Sequence, residues 1–137
     1  MGRILAIDYG GKRTGLAVTD PLQIIATALE TIPSSELIPY LKKYVNAEQV
    51  DAFVIGEPKN LDGSDTDASS LVKNFLVKLN IEFPQIPVHL IDERFTSKMA
   101  VQSMIASGTS KKDRRVKGNI DKISATIILQ DFMSRQH

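Results

Sequence analysis

The stretch from Ala6 to Val18 brings a carboxylate, a glycine-rich turn and two cations together within a few residues. Asp8 closes a short apolar run, and three glycines follow it, with Lys12 and Arg13 between them. Glycine permits turn conformations that other residues resist and lets a phosphate approach the backbone closely. Lysine and arginine side chains can contact phosphate oxygens. The segment therefore predicts a site that holds a metal ion against a phosphate group.

Three more acidic residues lie at predicted ends of a strand or a helix, where they could contribute to such a metal site. Asp92 and Glu93 end the last strand-like run, and Asp121 is expected to begin the final helix. Crowded carboxylates repel one another and are costly to bury unpaired, so acids that converge require a cation. Mg²⁺ or Mn²⁺ suits oxygen ligands of this kind and keeps waters for substrate phosphates. Taken singly, each acid could instead be a solvated strand end or a helix-dipole partner.

Basic residues are concentrated in the last third of the chain. Residues 1–92 carry 8 Lys and Arg against 12 Asp and Glu, whereas residues 93–137 carry 9 against 4. A polyanion is therefore expected to meet the C-terminal part. The predicted phosphate contacts there are Lys111, Lys112, Arg114, Arg115 and Lys117. The lesser candidates for positioning a nucleic-acid strand are Lys59, Asn60, Arg94 and Thr96. A solvated connection between helices is the alternative for the basic stretch.

Length and composition narrow the class of protein. A chain of 137 residues suits one domain, spanning residues 1–137. The absence of cysteine excludes disulfides and Cys-based zinc sites. The first apolar run is too short for a signal peptide, and no run reaches the roughly 18 apolar residues of a membrane span. We expect a soluble cytoplasmic protein with no membrane partner, either a monomer or a homodimer. The lack of Trp argues against an extended base-stacking platform.

The elements that must position these residues follow from apolar periodicity. Three strands linked by turns predict an antiparallel meander, and the later alternation of strands and helices predicts parallel neighbours. The result is an α/β protein with a mixed five-stranded sheet and helices on both faces, which is the order of the ribonuclease H-like fold. The predicted strands are 3–8, 14–20, 23–32, 50–56 and 88–92, and the predicted helices are 34–45, 67–80, 96–108 and 119–134.

The last helix has a stripe of residues that should face the sheet. The stripe recurs at i, i+4, i+7 and i+11 and comprises Asp121, Ala125, Ile128 and Phe132. Asn119 is a candidate N-cap for this helix. The stripe would direct Asp121 toward the ends of the first and last strands.

Four motifs resemble, in order and spacing, those of the bacterial YqgF family, relatives of the RuvC Holliday-junction resolvase. They are AIDYGGKRTGLAVTD, VIGEPKNLDGSD, IDERFTS and IDKISATIILQDF. Family members are described as nucleases that mature the 5′ end of pre-16S rRNA, with a ribonuclease H-like fold and a cytoplasmic location. The resemblance implies an acidic site of Asp8, Glu93 and Asp121, with Asp92 as the substitute for Glu93.

One position departs from the pattern of the resolvases. They carry an acid inside the fourth strand, whereas the corresponding residue here is Gly56, with Glu57 one step along and expected on the opposite face. The resulting hypothesis is two-metal phosphodiester hydrolysis, in which Asp8 bridges the ions and Glu93 and Asp121 each complete one. The RNA substrate would be pre-16S rRNA or a ribosomal precursor particle, and branched DNA is a further candidate.

Two other classes of function stay open from the sequence. A non-catalytic nucleic-acid-binding factor in transcription or ribosome assembly would keep the fold without the reaction. An actin-like phosphotransferase also uses a D-x-G phosphate-binding hairpin, but it normally needs two such domains. Metal-dependent cleavage separates the nuclease from the binding factor, and ATP binding identifies the phosphotransferase.

Overall fold

The computed structural model describes residues 2–57, 67–92 and 117–135, with the backbone alone for residues 67, 68 and 117–122. These ranges contain five strands, a 3₁₀ turn and three α-helices. The strands are β1 (Arg3–Asp8), β2 (Arg13–Thr19), β3 (Ala26–Pro33), β4 (Val50–Glu57) and β5 (Val88–Asp92). The helical segments are the 3₁₀ turn Ser34–Glu36, α1 (Leu37–Ala47), α2 (Asp67–Glu82) and α3 (Lys117–Arg135).

The five strands form one mixed sheet in the order β3-β2-β1-β4-β5. β1 pairs antiparallel with β2 and parallel with β4, and β5 pairs parallel with β4. The predicted meander with two parallel additions is therefore confirmed. Because β1, β4 and β5 run in the same direction, Asp8, Glu57 and Asp92 end them at one side of the sheet, which we call the carboxyl edge. The opposite side, where these strands begin, is the amino edge.

Each face of the sheet carries its own apolar core, as expected for helices on both faces. Leu5 and Ile7 belong to the cluster that packs against α1 and α2. Ile4 and Ala6 belong to the cluster that packs against α3. All four side chains are buried. Successive strand residues point to opposite faces of the sheet. A central strand with helices packed on both faces therefore needs an unbroken run of apolar residues.

Helix α2 buries apolar residues that recur at helical spacing. Val72, Phe75 and Leu79 of α2 are buried against the sheet, whereas Leu71 is 45% exposed. Pro39 is the third residue of α1, in the first turn, where its missing N–H costs no helical hydrogen bond. Within the described part of the chain, no helix is long and apolar enough to cross a membrane.

The third strand begins three residues later than predicted. Asp20 accepts hydrogen bonds from the N–H groups of Ile24 and Ile25, at 2.7 and 2.9 Å, and Gln23 has a φ of 59°. These hydrogen bonds hold residues 20–25 in a turn, although the apolar side chains of Ile24 and Ile25 predict a strand. Hydrogen bonds from the Ile25 amide, and then from Ile24, hold the pKa of Asp20 below its usual value, despite an opposing effect of desolvation.

The last helix begins earlier than predicted, and one predicted helix cannot be compared. α3 starts at Lys117 rather than after Asn119, so the predicted N-cap role of Asn119 is wrong. Lys117, expected in the stretch that precedes the helix, is instead its first residue. The helix predicted over 96–108 lies outside the described residues.

Candidate active site at the carboxyl edge

Asp8 is the last residue of the central strand and stands at the carboxyl edge. It is half-buried and pairs across β2 with Gly15, which has no side chain to cover it. By strand alternation Asp8 shares the face of Ile4 and Ala6, the face covered by α3. The carboxylate predicted to be a metal ligand is thus on the α3 side of the sheet.

The neighbouring strand β4 places no acidic side chain beside Asp8. One residue beyond the Ile7–Ile55 pair, buried Gly56 stands level with Asp8 and adds no side chain. Ile55 lies in the α1/α2 core, whereas Val54 lies in the α3 core. Glu57 therefore points to the α1/α2 face, as predicted from the sequence. No acid of β4 shares the face of Asp8.

The same alternation applies to β5. Ile91 belongs to the α3 core and His89 contacts Phe132 of α3, so these two residues share the face of Asp8. Asp92 follows Ile91 and is paired with Glu57, which places it toward the α1/α2 face. Glu93, the preferred ligand of the two, lies outside the described residues.

Two contacts at the amino edge establish the direction of α3. The rings of Phe132 and His89 lie 5.0 Å apart, and His89 is near the beginning of β5. Met133 and Ala26 pack against the same core, and Ala26 begins β3 where it pairs with Thr19. The C-terminal end of α3 is therefore at the amino edge, and its N-terminal half extends toward the carboxyl edge.

Helix geometry relates Asp121 to that edge. Eleven residues separate Asp121 from Phe132, which corresponds to about 16 Å along the helix axis. The distance from His89 to the end of β5 is about 10 Å. The backbone of Asp121 thus lies on the part of α3 that reaches the level of Asp8.

Asp121 occupies a different helical position from the one predicted. It is the fifth residue of α3, and the first turn of this helix holds no acid. The effect of the helix dipole is confined to the first turn, so a dipole partner is a poor account of this residue. The expected stripe is confirmed at Ala125, Ile128 and Phe132, which are buried in the α3 core.

A buried hydroxyl follows Asp121 on the same helix. Ser124 is 2% exposed, and its Oγ has no hydrogen-bond partner within the described part of the chain. Burying an unpaired hydroxyl is unfavourable. The hydroxyl is an additional oxygen donor one turn beyond Asp121, a residue that sequence reasoning did not select.

The glycine-rich turn between β1 and β2 is fastened to the 3₁₀ turn. The Ser34 hydroxyl donates to the Gly10 carbonyl, and the Ser34 amide donates to the Lys12 carbonyl at 2.9 Å. A Cβ on Gly10 would collide with the carbonyl oxygen of Arg13, so this position requires glycine. Lys12, on the turn that follows Asp8, and Arg13, the first residue of β2, are both exposed.

The structure brings together only some of the predicted site residues. Asp8, Lys12 and Arg13 lie at the carboxyl edge, and Asp121 and Lys117 are present as backbone in the first half of α3. The residues outside the described ranges are Glu93, Lys59, Asn60, Arg94, Thr96, Lys111, Lys112, Arg114 and Arg115. Within the described ranges, no three His, Cys, Asp or Glu side chains form a group able to hold a metal ion.

A cavity next to the turn was not predicted from the sequence. It has a volume of about 270 Å³ and lies on the α1/α2 side, where Tyr9, Ser35 and Lys78 contribute to its wall. Tyr9 immediately follows Asp8, but the cavity also needs residues from the 3₁₀ turn and α2, so no local sequence pattern indicated it.

Comparisons with known proteins agree with this architecture. Residues 2–135 match the model of a family described as "RuvX: Holliday junction resolvase". A Flavobacterium johnsoniae protein is 54% identical over 98% of this chain and 97% of its own length. A Porphyromonas gingivalis protein is 48% identical over 97% of this chain and 96% of its own. Both relatives are named "Putative pre-16S rRNA nuclease".

Solved structures are similar in fold. One described as "T. thermophilus RuvC in complex with Holliday junction substrate" has a TM-score of 0.61 and 14% identity, covering 99% of this chain and 96% of its own. A second, "Thermus thermophilus RuvC structure", has a TM-score of 0.58 and 14% identity, with 98% and 96% covered. These similarities confirm the predicted ribonuclease H-like fold.

Proposed function

Because this chain belongs to the RuvX family, the YqgF family predicted from its motifs, we propose that it is a metal-dependent nuclease that hydrolyses RNA. Its proposed substrate is pre-16S rRNA, or a ribosomal precursor particle that contains it, as the names of its relatives suggest. One observation carries the proposal. Asp8 ends the central strand on the face covered by α3, and the half of α3 that contains Asp121 extends toward the same edge.

The oxygen donors available at this edge fit a divalent cation. Asp8, Glu93 and Asp121 would hold Mg²⁺ or Mn²⁺ in a two-metal site. Asp92, the substitute for Glu93 expected from the sequence, faces the α1/α2 side and is not included. The absence of an acid from β4 on the face of Asp8 leaves the third carboxylate to come from the end of β5. A bound cation would supply Lewis acidity, which lowers the pKa of a water nucleophile and stabilises the leaving oxygen.

The protein's own residues bind and orient the strand. Lys12 and Arg13 project from a turn that starts two residues after Asp8, so they can contact phosphates that flank the bond to be cut. The basic stretch from Lys111 to Lys117, which ends at the first residue of α3, would contact the RNA backbone without reading its sequence. The lesser candidates Lys59, Asn60, Arg94 and Thr96 keep the same proposed role.

Several coarser properties belong to the same proposal. We treat residues 1–137 as one nuclease domain, supported by the family match over residues 2–135 and by two cores that share one sheet. A cytoplasmic location follows from rRNA as substrate. Branched DNA is the alternative substrate, because the family description names a Holliday junction resolvase. The assembly would be a monomer or a homodimer.

The experiment compares two aspartates of the same helix. Asp121→Asn should reduce Mg²⁺-dependent cleavage of a pre-16S rRNA fragment to background, whereas Asp131→Asn should retain it. Asp131 forms a surface ion pair with Arg135, at 3.1 Å. Asp131→Asn therefore removes one negative charge from α3 at a place remote from the proposed site. A four-way DNA junction is tested in parallel to separate the two substrates.

The outcomes distinguish the classes of function. Equal cleavage by both variants would remove Asp121 from the site. Metal-independent RNA binding without any cleavage by the wild type would favour the non-catalytic binding factor instead.

A further inference from the structure

The cavity beside the glycine-rich turn has the size and lining of a site for one small ring. Its volume is about 270 Å³, and its wall includes Tyr9, Gly11, Ser35, Phe75 and Lys78. Drug-sized ligands occupy cavities of roughly 300–1,000 Å³. The cavity is therefore suited to a single nucleobase with its sugar and not to a larger ligand.

The aromatic side of the cavity is held in a fixed orientation. The ring of Tyr9 is stacked on that of Phe75, with centroids 4.4 Å apart and planes inclined by 9°. Phe75 is 3% exposed and is anchored in the α1/α2 core, whereas Tyr9 is only half-buried. A ring that is already immobilised loses little conformational entropy when a ligand stacks on it.

The polar side of the cavity supplies groups suited to a phosphate and a sugar. Lys78 brings an exposed ammonium group from α2, and Ser35 brings an exposed hydroxyl from the 3₁₀ turn. Gly11 leaves one wall free of a side chain. An ammonium group binds phosphate, and a serine hydroxyl can both donate to and accept from a ribose hydroxyl. An aromatic ring beside these groups matches the chemistry of a nucleotide.

We propose that this cavity binds one unstacked nucleotide of the RNA strand, next to the phosphate held at Asp8. Asp8 and Tyr9 are consecutive residues whose side chains lie on opposite faces of the sheet at the carboxyl edge. A strand that crosses this edge with a phosphate at Asp8 brings its adjacent nucleotide to Tyr9. The inference rests on the proposed function, since it takes the bound strand to be the substrate.

A single aromatic ring explains how a chain poor in aromatic residues can still hold a base. An alanine substitution for a stacking aromatic weakens binding by roughly 5- to 150-fold. Tyr9→Leu keeps an apolar contact with Phe75 but removes the ring, and it should weaken binding of a short single-stranded RNA by a factor in that range. Tyr9→Phe keeps the ring and should bind like the wild type.

The test measures binding without metal, so that no cleavage intervenes. RNA carrying a fluorescent adenine analogue at successive positions is titrated with each variant, and stacking on Tyr9 quenches the analogue at one position. Lys78→Gln tests the phosphate contact on an exposed residue whose substitution leaves the core intact. Lys43→Gln removes an equal charge from the surface of α1 as its control. Adenosine monophosphate is titrated separately to detect a site for free nucleotides.

The proposal is supported if Tyr9→Leu and Lys78→Gln weaken RNA binding and abolish the local quenching while both controls keep them. Unchanged RNA binding in Tyr9→Leu and Lys78→Gln overturns it, as does a cavity that binds adenosine monophosphate but not RNA. Because these readouts need no reaction, loss of the proposed nuclease function would appear only as absent cleavage. If the cavity variants bind RNA like the wild type and cleavage persists, the cavity proposal is overturned and the proposed nuclease function is not affected.

Discussion

The hydroxyl of Ser34 lies 2.8 Å from that of Thr14 and donates its own hydrogen to the carbonyl of Gly10. Since Ser34 has a single hydroxyl hydrogen, Thr14 must be the donor in the bond between the two. Thr14 is completely buried and has no access to water. A chain of two hydrogen bonds thus fixes the glycine-rich turn to the start of the 3₁₀ turn, beside both Asp8 and the cavity.

Ser34→Ala should destabilise the fold by about 1–3 kcal/mol, because it leaves the buried Thr14 hydroxyl without an acceptor. The free energy of unfolding is measured by urea titration. Ser35→Ala is the matched control, since it removes the same hydroxyl from the neighbouring serine, which is exposed. Equal stability of the two variants would show that the hydrogen-bonded chain contributes nothing.

Gly10→Ala should cost about 1–3 kcal/mol, because the added Cβ meets the backbone carbonyl of Arg13, which cannot move aside without shifting β2. Gly11→Ala should cost much less, since its Cβ would lie 3.4 Å from a flexible leucine methyl of Leu71. Urea midpoints of the two variants give the comparison. A larger loss at Gly11 would contradict the turn geometry.

The fold could be predicted because its strands are short apolar runs bounded by turns or by helical periodicity. β1 is apolar on both faces, and β5 was predicted with its observed bounds of Val88–Asp92. The start of β3 could not be predicted, because Ile24 and Ile25 look like strand residues. Only the backbone contacts of Asp20 and the positive φ of Gln23 reveal a turn there.

The positions of the acidic residues along the strands could be predicted from the sequence. The face to which Asp92 points and the neighbouring cavity could not. A carboxylate after an apolar run marks the end of a strand, so Asp8 and Asp92 could be placed at one edge from the sequence. Pairing across the sheet is needed to see that Asp92 turns away from Asp8. The cavity depends on the stacking of Tyr9 on Phe75, residues 66 positions apart, which no local pattern encodes.

The stability of the protein should fall between pH 10 and about 12 through Tyr40. Burial, with the hydrogen bond and charge of Glu30, raises the pKa of Tyr40 to about 12. In the unfolded chain the pKa of Tyr40 is near its ordinary value of 10.0. Between pH 10 and 12 the folded state therefore keeps a proton that the unfolded state has lost, and the free energy of unfolding falls as the pH rises. Tyr40→Phe should therefore show a shallower decline, measured by urea midpoints across the interval. Parallel slopes in the two proteins would exclude this contribution.

Neutralising Lys111 and Lys112 should weaken RNA binding and flatten its dependence on salt. For single strands the slope of log K against log salt falls by about 0.7 for each phosphate that the protein no longer neutralises. The lysine pair Lys42 and Lys43 on α1 provides a matched control, since its neutralisation removes the same charge elsewhere. A variant that also neutralises Arg114 and Arg115 should flatten the slope further. An unchanged slope would show that the basic stretch makes no phosphate contacts and is only a solvated connection between helices.

Asp8→Asn tests whether Asp8 is a metal ligand or a structural residue of the strand end. The substitution keeps size and hydrogen-bonding capacity but removes a charge from the proposed acidic site, which would relieve repulsion among its carboxylates in the metal-free protein. The variant should therefore melt no lower than the wild type without metal. It should also lose the stabilisation that the wild type gains from Mg²⁺, which is about 2.7 kcal/mol at one hundred times the Kd.

Melting temperatures with and without Mg²⁺ are compared for both proteins, together with cleavage of the rRNA fragment. Asp51→Asn serves as the control, because Asp51 lies at the amino edge and binds the Gly2 amide at 2.8 Å. It should lower the melting temperature while keeping the rise induced by Mg²⁺, since only an ion bound to the native state contributes that rise. If Asp8→Asn retained both the rise and the cleavage, Asp8 would be a structural residue of the strand end, and the proposed acidic site would lose its central ligand.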